Sequence, residues 1–300
     1  MIYIKLIFIY SSYSHVNHEI KVKDFFLRNL IQHILFLFFC FESTLIDAKN
    51  FAQSIHNQEM IKHGKNVYRQ RCTGCHGEKG DGKGPAAIFL NPKPRDFTKG
   101  IFKFSSTPYD ALPTDQDLMR TLTQGIYGTS MPSFSLIPEI SRLSLVEYIK
   151  TFSDVWKKQE NYQAPLKGDV FPLQDFKNFN KFVKRAKKGR TIFIEQCTIC
   201  HGIQGKGDGE GSEGLEDDWE NPIKPANLTK AFIKSGKSVE SIYRVLLSGI
   251  AGTPMPSFYE AISNKDMWDV SAYVLYLRGH SQGLYGNKNP IKPITKAELE

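Results

Sequence analysis

The sequence predicts a mainly α fold with two similar helical domains in tandem. The first observation is a repeat: "CTGCHGEKGDGKG" from Cys72 returns as "CTICHGIQGKGDGEG" from Cys197. Further phrases recur in the same register, which indicates a tandem duplication of a unit of about 90 residues. The second observation is a helical spacing of apolar residues on either side of each phrase. No stretch alternates clearly enough to predict a sheet.

The helix before each cysteine pair is indicated by residues that share one face. In the second copy these are Phe182, Ala186, Gly189 and Phe193. In the first copy they are Ile61, Gly64 and Tyr68. Spacings of three and four residues are typical of one face of an α-helix.

A second helix is predicted near the end of each unit. "DMWDVSAYVLYL", from Asp266 to Leu277, is strongly apolar, and "RLSLVEYIKTF", from Arg142 to Phe152, is its weaker counterpart. Gly, Pro and Asn dominate between the predicted helices, so much of each unit is expected to be loop. Such a small unit has a thin core of its own, which a large apolar group would fill.

Two further phrases repeat between the predicted helices. "KPRDFT", which begins at Lys93, matches "KPANLT", which begins at Lys224. "GIYGTSMPSF", which begins at Gly125, matches "GIAGTPMPSF", which begins at Gly249. The second pair places one methionine of each copy in a Met-Pro loop.

The composition is that of a soluble globular protein, with 41% hydrophobic and 23% charged residues in a chain of 300. The net charge of +8 is compatible with nucleic acid, an anionic membrane surface or an acidic protein partner. No nucleic-acid-binding motif is present, so we expect no nucleic-acid partner. The charge favours redox partners with an acidic docking surface.

Residues 1–48 are predicted to be a leader. Basic residues precede "LIQHILFLFFCF", an apolar run of 12 residues that begins at Leu30. This order is typical of a secretory signal, and a bilayer-spanning helix needs about 20 residues. A cleaved signal is therefore favoured over a retained membrane anchor, although Ile46 makes cleavage after Ala48 unfavourable. The patch "MIYIKLIFIY" is compatible with a start codon placed too far upstream.

The predicted organisation places the first domain at residues 49–153 and the second at residues 187–282. A lysine-rich linker is predicted at residues 154–186, and a C-terminal tail at 283–300. We expect the linker to be a solvated tether. The oligomeric state is not predicted.

The Cys-X-X-Cys-His phrases narrow the chemistry. Cys-X-X-Cys alone occurs in zinc sites, redox disulfides and haem attachment, and an exported protein usually pairs its cysteines as disulfides. A zinc ribbon has no need of His76 or His201, and a thioredoxin motif requires a strand–helix context that is missing here. Two phrases in register favour two haem c groups, each joined through two thioether bonds and ligated by the following histidine. The attachment residues are Cys72, Cys75, Cys197 and Cys200.

The sixth iron ligands are predicted to be Met131 and Met255, the two methionines that recur in register. Proline follows each of them and ends any helix there, while glycines allow the loop to approach a flat group closely. A thioether ligand favours ferrous iron and raises the reduction potential. The metal ligands are therefore predicted to be His76, Met131, His201 and Met255.

These motifs resemble the class I c-type cytochromes, in particular the di-haem, tandem-domain members, over about residues 54–280. The resemblance implies two cytochrome c-like helical domains, each wrapped around a covalent haem c. It also implies a Gly/aromatic helix crossing, in which Gly64 with Tyr68 meets Tyr148, and Gly189 with Phe193 meets Tyr273.

The resemblance further implies a proline carbonyl that accepts a hydrogen bond from each proximal histidine, with Pro94 and Pro225 as candidates. Leu143 stands in the first domain where Trp268 stands in the second, which predicts a looser first domain. Arg95 in the first copy, and an acidic insertion "EGSEGLEDDWE" in the second, predict a higher potential at the first haem.

The predicted function is that of an exported di-haem cytochrome that transfers single electrons between redox partners and is not an enzyme. Two six-coordinate irons leave no place for a substrate. Two alternatives stay open: an electron-transfer subunit fixed in a larger oxidoreductase complex, and a di-haem peroxidase-like enzyme. The predicted location is the periplasm or another extracytoplasmic compartment, soluble or anchored through an uncleaved leader.

Overall fold

The computed structural model describes residues 54–231, 233–281 and 291. The chain divides into two compact units, residues 1–59 and 60–300, and the second contains both repeats. The predicted leader and most of the predicted tail lie outside the described residues. Over the described ranges the structure is helical, and its only β pairings are two isolated bridges. The mainly α prediction is confirmed.

The first domain is built from four helices. They are α1 (residues 54–71), α2 (Thr73–His76), α3 (Asp115–Gln124) and α4 (Glu139–Lys150). The core lies between α1, α3 and α4, and its most buried members include Tyr68, Leu145 and Val146. A short 3₁₀ turn, Ala87–Phe89, follows the cysteine phrase.

The second domain repeats this arrangement with a longer last helix. It contains α6 (Phe179–Gln196), α7 (Thr198–His201), α8 (Val239–Ser248) and α9 (Asn264–Ser281). The short helix α5 (Leu173–Lys177) precedes it. The remaining 3₁₀ turns are Asp154–Lys157, Gln159–Asn161 and Glu210–Ser212.

The first and last helices of each domain cross at a glycine. A Cβ on Gly64 would lie 1.9 Å from the carbonyl oxygen of Ser144, and one on Gly189 would lie 1.9 Å from that of Asp269. Only glycine permits so close an approach of two backbones. Beside each glycine the predicted aromatic pair meets edge to face: Tyr68 with Tyr148, and Phe193 with Tyr273, both at 5.3 Å between ring centres.

The segment predicted as a solvated linker is packed at both of its ends. Trp156 is buried in the first core, and Phe171 and Phe176 pack on Trp268 of the second. The predicted boundary at residue 186 falls inside α6. Among the basic residues, Arg185 is not solvated, because it binds the buried carboxylate of Asp269. Apolar anchors are the physical reason that this stretch is ordered.

Helices α3 and α8 were not predicted. Each begins at a hydroxyl N-cap that accepts a backbone hydrogen bond three residues on: Thr114 from Asp117, and Ser238 from Ser241. Asp117 completes a capping box in α3. The signal was present in the sequence as Thr-X-X-Asp before an apolar run.

Candidate haem sites

The structure places the predicted residues of each copy in one domain. The first site comprises Cys72, Cys75, His76 and Met131, and the second comprises Cys197, Cys200, His201 and Met255. In each, the cysteines and the histidine lie at the short helix that follows α1 or α6.

The four cysteines form no disulfides. Burial, together with the neighbouring thiol, raises the pKa of Cys72 to about 11 and that of Cys197 to about 12. No group of three or more His, Cys, Asp or Glu side chains that could hold a metal ion is found among the described residues. Because the two cysteine pairs lie in separate domains, a single zinc site built from both pairs does not fit. Two separate, paired attachment points do.

Each proximal histidine is fixed by one backbone carbonyl. Nδ1 of His76 lies 3.0 Å from the oxygen of Arg95, and Nδ1 of His201 lies 3.1 Å from that of Ala226. The prediction of Pro94 and Pro225 as acceptors was wrong by one residue. The carbonyls of these prolines are turned instead towards Gly82 and Gly207, where a positive φ and the missing side chain allow the close approach.

This contact fixes the tautomer of both imidazoles. A carbonyl can only accept, so Nδ1 carries the proton and donates it. Burial lowers the pKa of His76 and of His201, with the backbone hydrogen bond acting in the opposite direction. Both rings are therefore neutral near pH 7, and Nε2 presents a lone pair. This is the state in which histidine ligates a metal.

The methionine loops are held by the same contacts in both domains. The amide of Met131 donates to Oγ1 of Thr129 at 3.1 Å, and the carbonyl of Met131 accepts from the amide of Ile126 at 3.1 Å. The corresponding distances at Met255 are 3.3 Å to Thr253 Oγ1 and 3.0 Å to the amide of Ile250. Both methionines are half-buried and pack against the core of their own domain.

The residues after each methionine tie its loop to the preceding helix. Ser133 Oγ donates to the carbonyl of Thr123, and Ser257 Oγ to that of Leu247, both at 2.7 Å. One residue later, the amide of Phe134 donates to Leu122, and that of Phe258 to Leu246. The Met-Pro-Ser-Phe phrase thus encodes a loop with a fixed position on α3 or α8.

The residues present fit two haem c groups. Each domain offers paired thiols for thioether bonds, a neutral histidine with its Nε2 free for iron, and a soft thioether on a fixed loop. Around the first histidine, Phe97 stacks on the imidazole at 4.5 Å between ring centres. Leu228 occupies the equivalent position in the second copy.

The charges expected to distinguish the two sites lie together instead. The guanidinium of Arg95 sits 3.9 Å from the ring centre of Trp219, inside the acidic insertion. Burial lowers the pKa of Arg95 to about 10, while Asp217, Asp96 and Asp218 act to raise it. Opposite charges this close partly offset one another, and the higher potential expected at the first haem stays a prediction.

Comparison with known proteins identifies a cytochrome c domain in each repeat. The family profile "Cytochrome c" matches residues 186–278, and "Cytochrome C oxidase, cbb3-type, subunit III" matches residues 59–149. A chain in the solved Kuenenia stuttgartiensis reducing HAO-like protein complex Kustc0457/Kustc0458 is 36% identical, with a TM-score of 0.64. The match covers 72% of this chain and 95% of that one. The chain belongs to the di-haem class I c-type cytochromes.

A curated relative of this di-haem cytochrome is the cbb3-type cytochrome c oxidase subunit FixP of Azorhizobium caulinodans. The two are 24% identical over 218 residues, which is 72% of this chain and 59% of FixP. The di-haem cytochrome thus spans just under three fifths of that relative. The two cytochrome c domains imply two covalently bound haem c groups.

Several residues that shape the sites escaped sequence reasoning. The carbonyls of Arg95 and Ala226 carry no side-chain signal. The hydroxyls of Thr129 and Ser133 stood in the repeated phrase and could have been found from it. Trp219 belongs to an insertion found in only one copy, so the repeat gave no guidance.

Proposed function

We propose that this di-haem cytochrome carries single electrons between protein partners outside the cytoplasm. We further propose that it does so as a non-enzymatic subunit of a larger oxidoreductase complex. The observation that carries the proposal is the agreement of the two sites: each has a histidine pinned through Nδ1 and a methionine on a hydrogen-bonded loop.

We assign one role to the cysteines and another to the histidines and methionines of the two sites. Thioether attachment is assigned to Cys72, Cys75, Cys197 and Cys200. Iron ligation is assigned to His76 and Met131 in the first domain, and to His201 and Met255 in the second. When bound, haem c supplies a centre that accepts and releases one electron. The chain's own groups orient the imidazole, hold the thioether and keep water away.

The fixed methionine loops support a carrier rather than an enzyme. An enzymatic haem needs an open coordination position. Here each loop is tied to its helix by a serine hydroxyl and a phenylalanine amide, both of which donate to helix carbonyls. A peroxidase-like reading would require one of these loops to leave. Both loops make these contacts within their own domain, so neither loop is left untied from its helix.

Membership of a complex is supported by the relatives and by the surface. FixP is named as an oxidase subunit, and the Kuenenia chain comes from a protein complex. In the first domain, three large apolar side chains are 74–98% exposed, namely Ile88, Phe89 and Leu136. A partner subunit would remove such surface from water.

The proposed location rests on the leader and on covalent haem attachment. Residues 1–48 are proposed as a secretory segment, cleaved or kept as an anchor. No helix among the described residues has both the length and the apolar character needed to cross a membrane. Exposed lysines of the segment after the first domain, such as Lys157 and Lys158, favour an acidic face on a redox partner.

Intact mass of the acid-denatured chain tests the cofactor assignment, and we expect two added haem masses. Met131→Ala should lower the potential of one haem and open it to external ligands, while Met255→Ala should do the same to the other. Met60→Ala is a matched control outside both loops. A ferric wild-type spectrum without the weak red band of iron–methionine coordination would contradict the ligand assignment.

A salt series tests the docking charge. Surface charges are screened over about 8 Å at physiological ionic strength, and steering acts mainly on the association rate. Bimolecular electron transfer to the physiological partner should slow as salt increases. A rate that is flat or rises would contradict a cationic docking face.

A further inference from the structure

The acidic insertion of the second domain reaches from one part of the second site to another. It begins with the 3₁₀ turn Glu210–Ser212, where the carbonyl oxygen of Gly211 lies 3.9 Å from Sγ of Cys200. Further along, the amide of Asp218 donates to the carbonyl of Gly252 at 3.2 Å. Gly252 belongs to the loop that carries Met255. The insertion therefore spans the second site from an attachment cysteine to the methionine loop.

Trp219 stands at the end of this span and touches both domains. A Cβ on Gly252 would lie 2.7 Å from Cζ3 of Trp219, so the indole rests directly on that backbone. The indole also receives the guanidinium of Arg95 at 3.9 Å from the ring centre, which is a cation–π contact. The carbonyl of the same arginine holds His76. One side chain thus joins the residue that fixes the first histidine to the loop that carries the second methionine.

The backbone that carries the indole is held by hydrogen bonds. Oδ1 of Asp217 accepts from the amides of Trp219 and Asn221, both at 3.1 Å, and from Nδ2 of Asn221 at 3.0 Å. The other carboxylate oxygen pairs with Lys103 of the first domain at 3.6 Å. Burial lowers the pKa of Lys103 to about 8, with Arg95 acting in the same direction and Asp217 in the opposite one.

A second contact fixes the methionine loop against the first domain nearby. Tyr109 donates its hydroxyl hydrogen to the carbonyl of Thr253 at 2.8 Å. Ile101 of the first domain lies against Gly252. The contact between the domains is therefore built from atoms of the second methionine loop itself. A bridge at this point needs no movement of either domain.

We propose that Trp219 is the bridge through which one electron passes between the two haem sites. One site loses the electron, the other gains it, and the indole is left unchanged. Electronic coupling decays more slowly through van der Waals contacts than across gaps, and Trp219 closes the gap between Arg95 and Gly252. The proposal rests on the proposed function, since it requires redox centres in both domains.

The test uses the full-length di-haem protein and three variants. Trp219→Leu removes the aromatic ring and most of the contact, and Trp219→Phe keeps an aromatic ring. Trp156→Phe is the matched control, because Trp156 is buried in the first core and packs on Phe102 and Tyr162 instead of the insertion. Flash photoreduction measures the rate at which an electron redistributes between the haems.

Two further measurements distinguish a role of Trp219 in electron transfer from a role in only holding the two domains together. A redox titration gives both midpoint potentials and hence the driving force, and small-angle scattering reports whether the domains stay in contact. We expect a loss of rate in Trp219→Leu, a smaller loss in Trp219→Phe and none in Trp156→Phe, with potentials and scattering unchanged. An unchanged rate in Trp219→Leu overturns the proposal, and so does a loss of rate that accompanies separation of the domains.

Failure of the proposed function has a different signature. A wild-type protein with fewer than two haem masses contradicts the two-site assignment before any variant is compared. A wild type with two haems, in which Trp219→Leu has no effect, contradicts only the bridge.

Discussion

The two domains use different chemistry at equivalent positions where their first and last helices cross. In the second domain, Arg185 of α6 binds Asp269 of α9, whose side chain is 1% exposed, at 2.5 Å. In the first domain the same positions hold Met60 and Ser144, and the hydroxyl of Ser144 lies 3.3 Å from the sulfur of Met60. The same backbone crossing thus accommodates a buried ion pair in one domain and a contact between two uncharged side chains in the other. The glycine and the aromatic pair are the parts that the two crossings share.

The difference continues on the neighbouring surface of each crossing. Trp268 of α9 is 3% exposed and stacks on Tyr243 at 3.8 Å between ring centres. Its counterpart Leu143 is 37% exposed. The second domain therefore buries more apolar area at this point, and the ion pair beside it lies in a less hydrated environment. Substitutions at the crossing should consequently affect the two domains unequally.

The largest difference is expected from removing the arginine of the buried pair. Arg185→Met leaves the carboxylate of Asp269 without its main partner, since Lys265 is exposed and 3.9 Å away. Loss of one partner of a buried ion pair costs about 3–5 kcal/mol. Urea unfolding of the full chain measures the loss, and hydrogen exchange of α6 and α9 peptides locates it. Met60→Leu, at the equivalent position of the first domain, is the control and should change the free energy of unfolding little. A loss below about 1 kcal/mol for Arg185→Met, which is the value of an exposed ion pair, would show that burial does not strengthen this pair.

Substituting the crossing glycines should affect both domains alike. Gly64→Ala and Gly189→Ala each place a Cβ 1.9 Å from a helix carbonyl, so the helices must separate. Overpacking typically costs about 1–3 kcal/mol, and occasionally more. Thermal unfolding and peptide-resolved exchange provide the measurement. Gly74→Ala is the control, because nothing lies within 4 Å of a Cβ there; equal behaviour of Gly74 and Gly64 variants would refute the close crossing.

A smaller effect is expected from a hydrogen bond that exists only in the first domain. Tyr68 donates its hydroxyl hydrogen to the carbonyl of Gly77 at 2.8 Å, whereas the equivalent residue in the second copy is Phe193. Tyr68→Phe should cost the first domain about 1 kcal/mol, the net value of a typical hydrogen bond. Urea unfolding gives the value. Phe193→Tyr, which adds a hydroxyl at the equivalent position of the second domain, is the reciprocal variant. If Tyr68→Phe stabilises the first domain, the prediction is wrong.

The smallest expected difference between the two domains is in how their stability changes at acidic pH. Burial acts to raise the pKa of Asp117, but hydrogen bonds from Ser106, Arg120 and Thr114 outweigh it and hold the pKa below its ordinary value of 3.8. The stability that this carboxylate contributes is present above pH 3.8 and is lost as the pH falls through its folded pKa. Asp117→Asn should therefore flatten the acid limb of the first domain's stability profile.

In the second domain, the pKa of Asp269 is shifted in the opposite direction to that of Asp117. Burial raises its pKa, and Arg185 only partly opposes this. Its contribution is present below the ordinary pKa and is lost as the pH rises through the folded pKa. Asp269→Asn should leave the acid limb of the first domain unchanged. Unfolding by urea at a series of pH values compares the two variants, and parallel profiles would contradict the assigned shifts.

The features that depend on repeated residues could be predicted from the sequence. The glycine–aromatic crossing, the outer helices and the placement of the cysteine, histidine and methionine motifs were all readable from residues such as Gly64 and Gly189. The acceptors of the histidine protons were missed by one residue, because the backbone path after Pro94 decides which carbonyl turns inward. The packed linker was missed because Trp156 and Phe176 are isolated aromatics among lysines, and their partners lie far away in sequence.

The anchored linker also has a consequence for how the two domains stay together. Trp156 is fixed in the first core, Phe176 in the second, and between them the amide of Leu166 donates to the carbonyl of Ser106 at 2.8 Å. A tether held at three points keeps each domain at a high effective concentration for the other. Re-association after any transient opening is then intramolecular and rapid. Weakening a single contact between the domains, such as the indole of Trp219, changes the contact without setting the domains free.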